Sequence, residues 1–152
     1  MSTKMSANFT LEELIQSDQA TRKGIDNTPS PEVLANLGVL ALGLERVRSI
    51  LQRPMHISSG YRCPKLNASI GGAKDSYHLR GLAADFTCPE FGTPREIAEA
   101  LVHQKEAIGF YKLIWEGTWV HIQFPDVGDN TLGEVLTATF VNGKAQYSKG
   151  LA

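Results

Sequence analysis

The 152-residue chain is 42% hydrophobic and 20% charged, with a formal net charge of −1. This is globular composition, enough for one domain with its own core, and it excludes wholesale disorder. It carries no basic excess suited to nucleic acid and no apolar run near the roughly 20 residues of a membrane span, and the opening MSTKMSANFT lacks the apolar segment of a secretory signal.

In chain order, the first predicted helix runs from Leu11 to about Ser17. Thr10 and Glu13 have capping-box spacing, and Phe9 with Leu14 suits a hydrophobic staple. The following TRKGIDNTPS reads as a loop. Ser30 then caps a long helix over Pro31–Leu51, with proline at its first position. Val33, Leu34, Leu37, Leu40, Ala41, Leu44, Val47 and Leu51 form its apolar face, and Gly38 and Gly43 weaken it slightly.

Met55–Ser59 reads as a short strand, Lys65–Ile70 as a helical piece, Gly71-Gly72 as a turn and Leu82–Phe86 as a buried strand. Thr93, Pro94 and Glu96 start another capped helix reaching about Gln104. Leu113–Glu116 and Trp119–Phe124 flank Gly117-Thr118 as a type II′ hairpin. Val135–Val141 and Ala145–Tyr147 flank Asn142-Gly143, a second hairpin. Helices first and antiparallel hairpins later predict an α+β fold filling residues 1–152 as one domain, with N-terminal helices on a small, mainly antiparallel sheet. The two cysteines, Cys63 and Cys88, form no CxxC pair and are expected as reduced, partly buried thiols. A bridge stays open if the protein works outside the cell.

Two of the four histidines lie in informative surroundings. In Ser76-Tyr77-His78-Leu79-Arg80-Gly81-Leu82-Ala83-Ala84-Asp85-Phe86, a carboxylate sits within an apolar strand, where it needs a partner. Gly81 permits a tight return, so that His78 and Asp85 can converge. In Trp115-Glu116-Gly117-Thr118-Trp119-Val120-His121, a two-residue turn makes Glu116 and Trp119 cross-strand partners and puts His121 on their face. Glu116 and His121 are then diagonal neighbours with Cα atoms roughly 7–8 Å apart. Imidazole and carboxylate suit zinc, and His78, Asp85 and His121 leave a fourth position for water, as catalytic sites do. By spacing alone, a satisfied core histidine with a paired aspartate explains these residues as well. The remaining histidines read as bystanders: His103 solvent-facing on its helix, His56 packed or lining a cleft. Trp115 and Trp119 flank a groove or pack in the sheet. Asp126, Asp129 and Glu134 match no EF-hand.

Ser76-x-His78-x-x-Gly81-x-Ala83-x-Asp85-Phe86 resembles the S-x-H-x-x-G-x-A-x-D-F signature of the M15 zinc peptidases. Trp119-Val120-His121-Ile122 is similar to that family's third-ligand strand, and Ser58-Ser59-Gly60-Tyr61-Arg62 to its S-G-Y-R segment. The likeness spans about Phe9–Phe124 and is nearest to the single-domain phage and prophage endolysin branch, with a hedgehog-like fold. The resemblance implies zinc held by His78, Asp85 and His121. It also implies Arg62 against a substrate carboxylate or oxyanion, with Tyr61, Ser76 and Trp119 along the substrate; Ser76 could equally fix the His78 loop. Many members carry the catalytic acid three residues before the last histidine, where this chain has Thr118. Glu116 takes the role of base here, with Asp126 as the alternative.

The implied activity is hydrolysis of a peptidoglycan stem-peptide amide, L-Ala–D-Glu by resemblance. The alternatives are a D-alanyl-D-alanine carboxypeptidase or cross-link endopeptidase, and a non-catalytic hedgehog-like zinc module. The implied partner is peptidoglycan alone: no nucleic acid, no membrane insertion and no separate wall-binding domain, in a monomer. A chain made in the host cytoplasm without a signal would reach the wall after membrane permeabilisation.

Overall fold

The protein is described by a computed structural model covering residues 2–152. Helix α1 spans Leu11–Ile15, with both halves of the Thr10/Glu13 capping box formed and Phe9 and Leu14 buried together. It stops two residues before Ser17 because Ser17 caps a second helix, accepting from the Ala20 N–H at 3.1 Å. That helix, α2 (Asp18–Lys23), includes Thr21–Lys23, which had read as loop. It buries only Ala20, so no apolar period announces it.

Helix α3 covers Pro31–Leu51, capped by the Ser30 side chain. Its predicted apolar face is buried except near the helix start, where Val33 is half-buried and Leu34 is 39% exposed. Gly43 belongs to the packing: a Cβ there would lie 2.4 Å from the buried Phe124 ring. The sheet strands are β1 (His56–Ser59), β2 (Ala83–Thr87), β3 (Lys112–Trp115), β4 (Val120–Gln123), β5 (Glu134–Val141) and β6 (Lys144–Lys149). Between them lie α4 (Pro64–Ser69), a 3₁₀ turn (Tyr77–Arg80), α5 (Pro94–His103) and α6 (Lys105–Ile108). The last was not foreseen, because four residues are too few to display a period.

The six strands form one sheet in the order β1-β2-β4-β3-β5-β6. Every pairing is antiparallel except β3 with β5, which run parallel, so the fold is α+β as expected. The connection from β4 to β5 therefore carries the chain back across the sheet. At the β3–β4 tip the predicted register holds. The turn itself is tighter than type II′, since the Thr118 N–H donates to the Glu116 carbonyl at 3.0 Å, an i→i+2 bond. The Asn142-Gly143 turn has φ of 52° and 78°, the positive pair of a type I′ hairpin.

Alternation divides the sheet into two faces. Ala84, Phe86, Leu113, Val120 and Ile122 point into the core beneath α3 and α5 and are fully buried. Asp85, Ile114, Glu116, Trp119, His121 and Gln123 point the other way, onto a face without helical cover. Cys63 and Cys88 are both buried free thiols; Cys63 Sγ caps α4 and Cys88 Sγ donates to the Pro54 carbonyl. Among the described residues, no helix is long and apolar enough to cross a membrane.

Candidate metal centre and cleft

The register places Asp85 on β2 directly opposite His121 on β4, with Ile114 of β3 on the far side. His78 arrives from outside the sheet, on the 3₁₀ turn. The Ser76 hydroxyl caps that turn by accepting from the His78 N–H at 3.2 Å. Gly81 ends it at φ 74°, the left-handed conformation that the return into β2 requires. His78, Asp85 and His121 thereby offer ligand atoms that all lie within 4.8 Å of one another.

Both imidazoles are oriented from behind. His78 Nδ1 donates to the Gly60 carbonyl at 2.7 Å, which leaves Nε2 facing Asp85 Oδ2 at 3.4 Å. His121 Nε2 donates to Gln123 Oε1 at 2.7 Å, which leaves Nδ1 facing Asp85 Oδ1 at 2.9 Å. The inner atoms of the cluster are thus two ring nitrogens and a carboxylate, with the outer nitrogens committed to carbonyl oxygens. Hydrogen bonds of this kind to the outer nitrogen fix ring tautomers at metal sites.

The electrostatics agree with a cation at this point. Burial alone would push the Asp85 carboxyl up, but the two histidines outweigh it and hold it well below the usual range. Burial pushes His78 down, against the pull of Asp85. Burial also opposes charge on His121, yet its hydrogen bonds to Asp85 and Gln123 leave it raised. Asp85 is thus held as a carboxylate between the two inner ring nitrogens, the charge that a cation bound there would meet. The donor set fits a borderline or hard divalent metal: two imidazoles, one carboxylate and an open side toward solvent.

A cleft of about 610 Å³ opens over the cluster. Glu116 and Trp119 stand on its floor beside His121, and the Trp119 Nε1–H donates to Glu116 Oε2 at 3.1 Å. Burial and the nearby Asp85 carboxylate push the Glu116 carboxyl up, opposed by His121, the Trp119 hydrogen bond and Arg62. Arg62 borders the cleft, tied to the His78 turn by its backbone N–H to the His78 carbonyl at 3.1 Å. Its Nε–H is buried and has no acceptor among the described residues.

Of the predicted site residues, the fold brings His78, Asp85, His121, Glu116, Arg62, Ser76 and Trp119 to one cleft. Tyr61 is not among them. It is 6% exposed within the hydrophobic core, because successive residues of an extended segment point opposite ways and Arg62 takes the cleft side. Trp115 lies on the opposite sheet face under the Arg95 guanidinium, so only Trp119 flanks the groove. His103 is exposed as expected, whereas His56 is neither packed nor in the cleft but exposed on edge strand β1. Asp126 is occupied by Arg80 at 2.9 Å, Asp129 accepts from the Tyr77 hydroxyl, and Glu134 pairs with Lys112 at 3.5 Å. None of the three joins the cluster. Gln123 was missed, although its place two residues after His121 on the same strand is a readable signal for a shared face.

Fold and site together define a protein with an open cleft whose floor holds a His-Asp-His group able to take a metal ion. The family is equally definite. The peptidase M15 family model matches residues 7–123, and the chain belongs to that family, which makes it a metal-dependent peptidase. Among curated proteins, none matches the chain.

Proposed function

We propose that residues 1–152 act as a single zinc peptidase domain that hydrolyses an amide of the peptidoglycan stem peptide, with L-Ala–D-Glu as the bond and a phage or prophage endolysin as the biological role. The observation that carries this reading is the convergence of His78, Asp85 and His121 within 4.8 Å on a cleft floor shared with Glu116. Zinc held by these three residues would supply Lewis acidity, polarising a carbonyl and lowering the pKa of water.

The chain's own groups divide the remaining work. Glu116 Oε2 is engaged by the Trp119 indole, so Oε1 is free to take the proton of the attacking water. The same carboxyl then returns that proton to the leaving amine. Its raised affinity for a proton suits both duties, since a carboxylate of ordinary pKa is a weak base near neutrality. Arg62 holds a substrate carboxylate or the developing oxyanion. Its buried, unpartnered Nε–H is a donor costly to leave unpaired and well used by an anionic oxygen. Ser76 acts through the turn it caps, by holding His78 in place.

Digestion of purified sacculi with mass spectrometry of the released muropeptides tests the reading. New N-terminal D-Glu is the expected product. Loss of terminal D-Ala alone would make the protein a carboxypeptidase, and absence of any product across a range of zinc concentrations would make it a non-catalytic zinc module.

A further inference from the structure

The family match ends at residue 123, but the cleft does not. The chain continues through the loop after β4 and returns as β5, parallel to β3, with β6 beside it. This register puts Leu136 next to Ile114 and carries Phe140, Ala145 and Tyr147 onto the same face as the metal cluster. Trp119 links the two parts, with its ring 6.2 Å from that of Phe140. The hairpin thus forms one wall of the cleft.

Two features of this wall call for an occupant. Phe140 and Tyr147 are 53% and 57% exposed, large rings held open to water on a sheet rather than folded into a core. The four residues that the hairpin gives to the cleft also carry no charge. The opposite end differs. Across the strand order, the β1–β2 end of the site holds Arg62, Asp85 lies over β2 and His121 over β4, and the hairpin follows beyond β3. A substrate laid across the strands meets a guanidinium at one end, the metal cluster in the middle and an uncharged aromatic wall at the other.

Resting on the peptidoglycan reading above, we propose that the β5–β6 hairpin is a substrate subsite, which takes the sugar-bearing, N-terminal end of the stem peptide. Chemistry selects that end. Its alanine nitrogen is acylated by the lactyl group of the amino sugar, so lactyl, alanyl and sugar units present methyl groups, C–H faces and neutral amides. The positions that follow bring the glutamyl carboxylate, the charged side chain of the diamino acid and, at the end, the terminal carboxylate. An uncharged wall accepts the first without penalty, whereas it would strip water from the second with no countercharge in return. Exposed Phe and Tyr supply the broad amphipathic contact such a neutral ligand needs. With that end on the hairpin, the carboxylates of the following residue fall toward Arg62, so one orientation satisfies both ends.

The test compares two substrates made from the same sacculi: muropeptides with the sugar attached, and the stem peptides after the sugar is removed by an amidase. Wild-type protein should prefer the sugar-bearing form in kcat/KM. Phe140→Ala and Tyr147→Ala should each lose about tenfold on it, carried by KM, with little change on the free peptide, and Phe140→Tyr should retain the preference. Melting temperatures near wild type confirm that the variants fold, as their exposure predicts. Equal losses on both substrates, or none on either, overturn the subsite while leaving the peptidase reading intact. Wild-type protein that cleaves neither substrate overturns the peptidase reading and the subsite with it.

Discussion

At the scale of single residues, Glu116 illustrates how a side chain acquires a role from its neighbours. Burial and the Asp85 carboxylate raise its proton affinity, and the Trp119 indole restrains that rise by favouring the charged form. As the proposed base, Glu116 acts when deprotonated, so kcat/KM should fall as pH drops through the raised pKa. The acid limb should therefore stand above the ordinary glutamate value of about 4.3. Trp119→Phe removes the restraint and should move the limb further upward, as a pH–rate profile would reveal. Glu116→Gln should lower kcat by about 10²–10⁴-fold while leaving metal content unchanged, measured by steady-state assay and metal analysis. The sequence displayed much of this site. His78 and Asp85 were readable because a carboxylate in an apolar strand needs a partner, and Glu116 because a two-residue turn restores it to the His121 face. Tyr61 was misplaced because a motif fixes neighbours in the chain but not which side of the backbone each one takes.

Elements were legible in proportion to their period and caps. The long helix α3 is bounded by Ser30 and Leu51 as its pattern required, and both capping boxes close. Short polar helices such as α2 were not visible, since a single buried alanine makes no stripe. The two glycines of α3 look alike in sequence and differ in space. Nothing lies within 4 Å of a Cβ built at Gly38, whereas one at Gly43 meets the buried Phe124 ring at 2.4 Å. Gly38→Ala should stabilise by up to about 1 kcal/mol through helix propensity alone. At Gly43 the same gain is outweighed by overpacking, which costs about 1–3 kcal/mol, so Gly43→Ala should be net destabilising. Urea midpoints of the two variants should move in opposite directions.

For the whole molecule, the cluster of His78, Asp85 and His121 is a junction. It joins β2, β4 and the 3₁₀ turn; the two strands already pair over four residues, whereas the turn is tied down by individual hydrogen bonds such as Arg62 N–H to the His78 carbonyl. A cation that binds only the folded junction raises stability by linkage, about 2.7 kcal/mol at a hundred times its Kd. Zinc should therefore raise the melting temperature and a chelator lower it. His78→Ala should flatten that response, and an unchanged zinc effect in that variant would remove His78 from the ligand set. A second junction supports the first from the side: Arg80 lies over the Tyr77 ring and pairs with Asp126, and Tyr77 stacks on Tyr111 at 5.5 Å. The acidic residues after β4 thus tie the His78 turn to the loop leading into β5.

By itself the sequence determined the chemistry available: which histidines and carboxylates could meet, which helix would be the scaffold, and that helices would cover a mainly antiparallel sheet. Those properties follow from local spacing, caps and turn residues, which act over a few positions. Only the tertiary structure decided what surrounds the cluster. The Gly60 and Gln123 carbonyl oxygens set the ring orientations, Arg62 rather than Tyr61 faces the cleft, and a hairpin beyond the family match becomes a wall of the site. These depend on strand order, and above all on the parallel return of β5 along β3, a pairing between distant segments that no local pattern encodes.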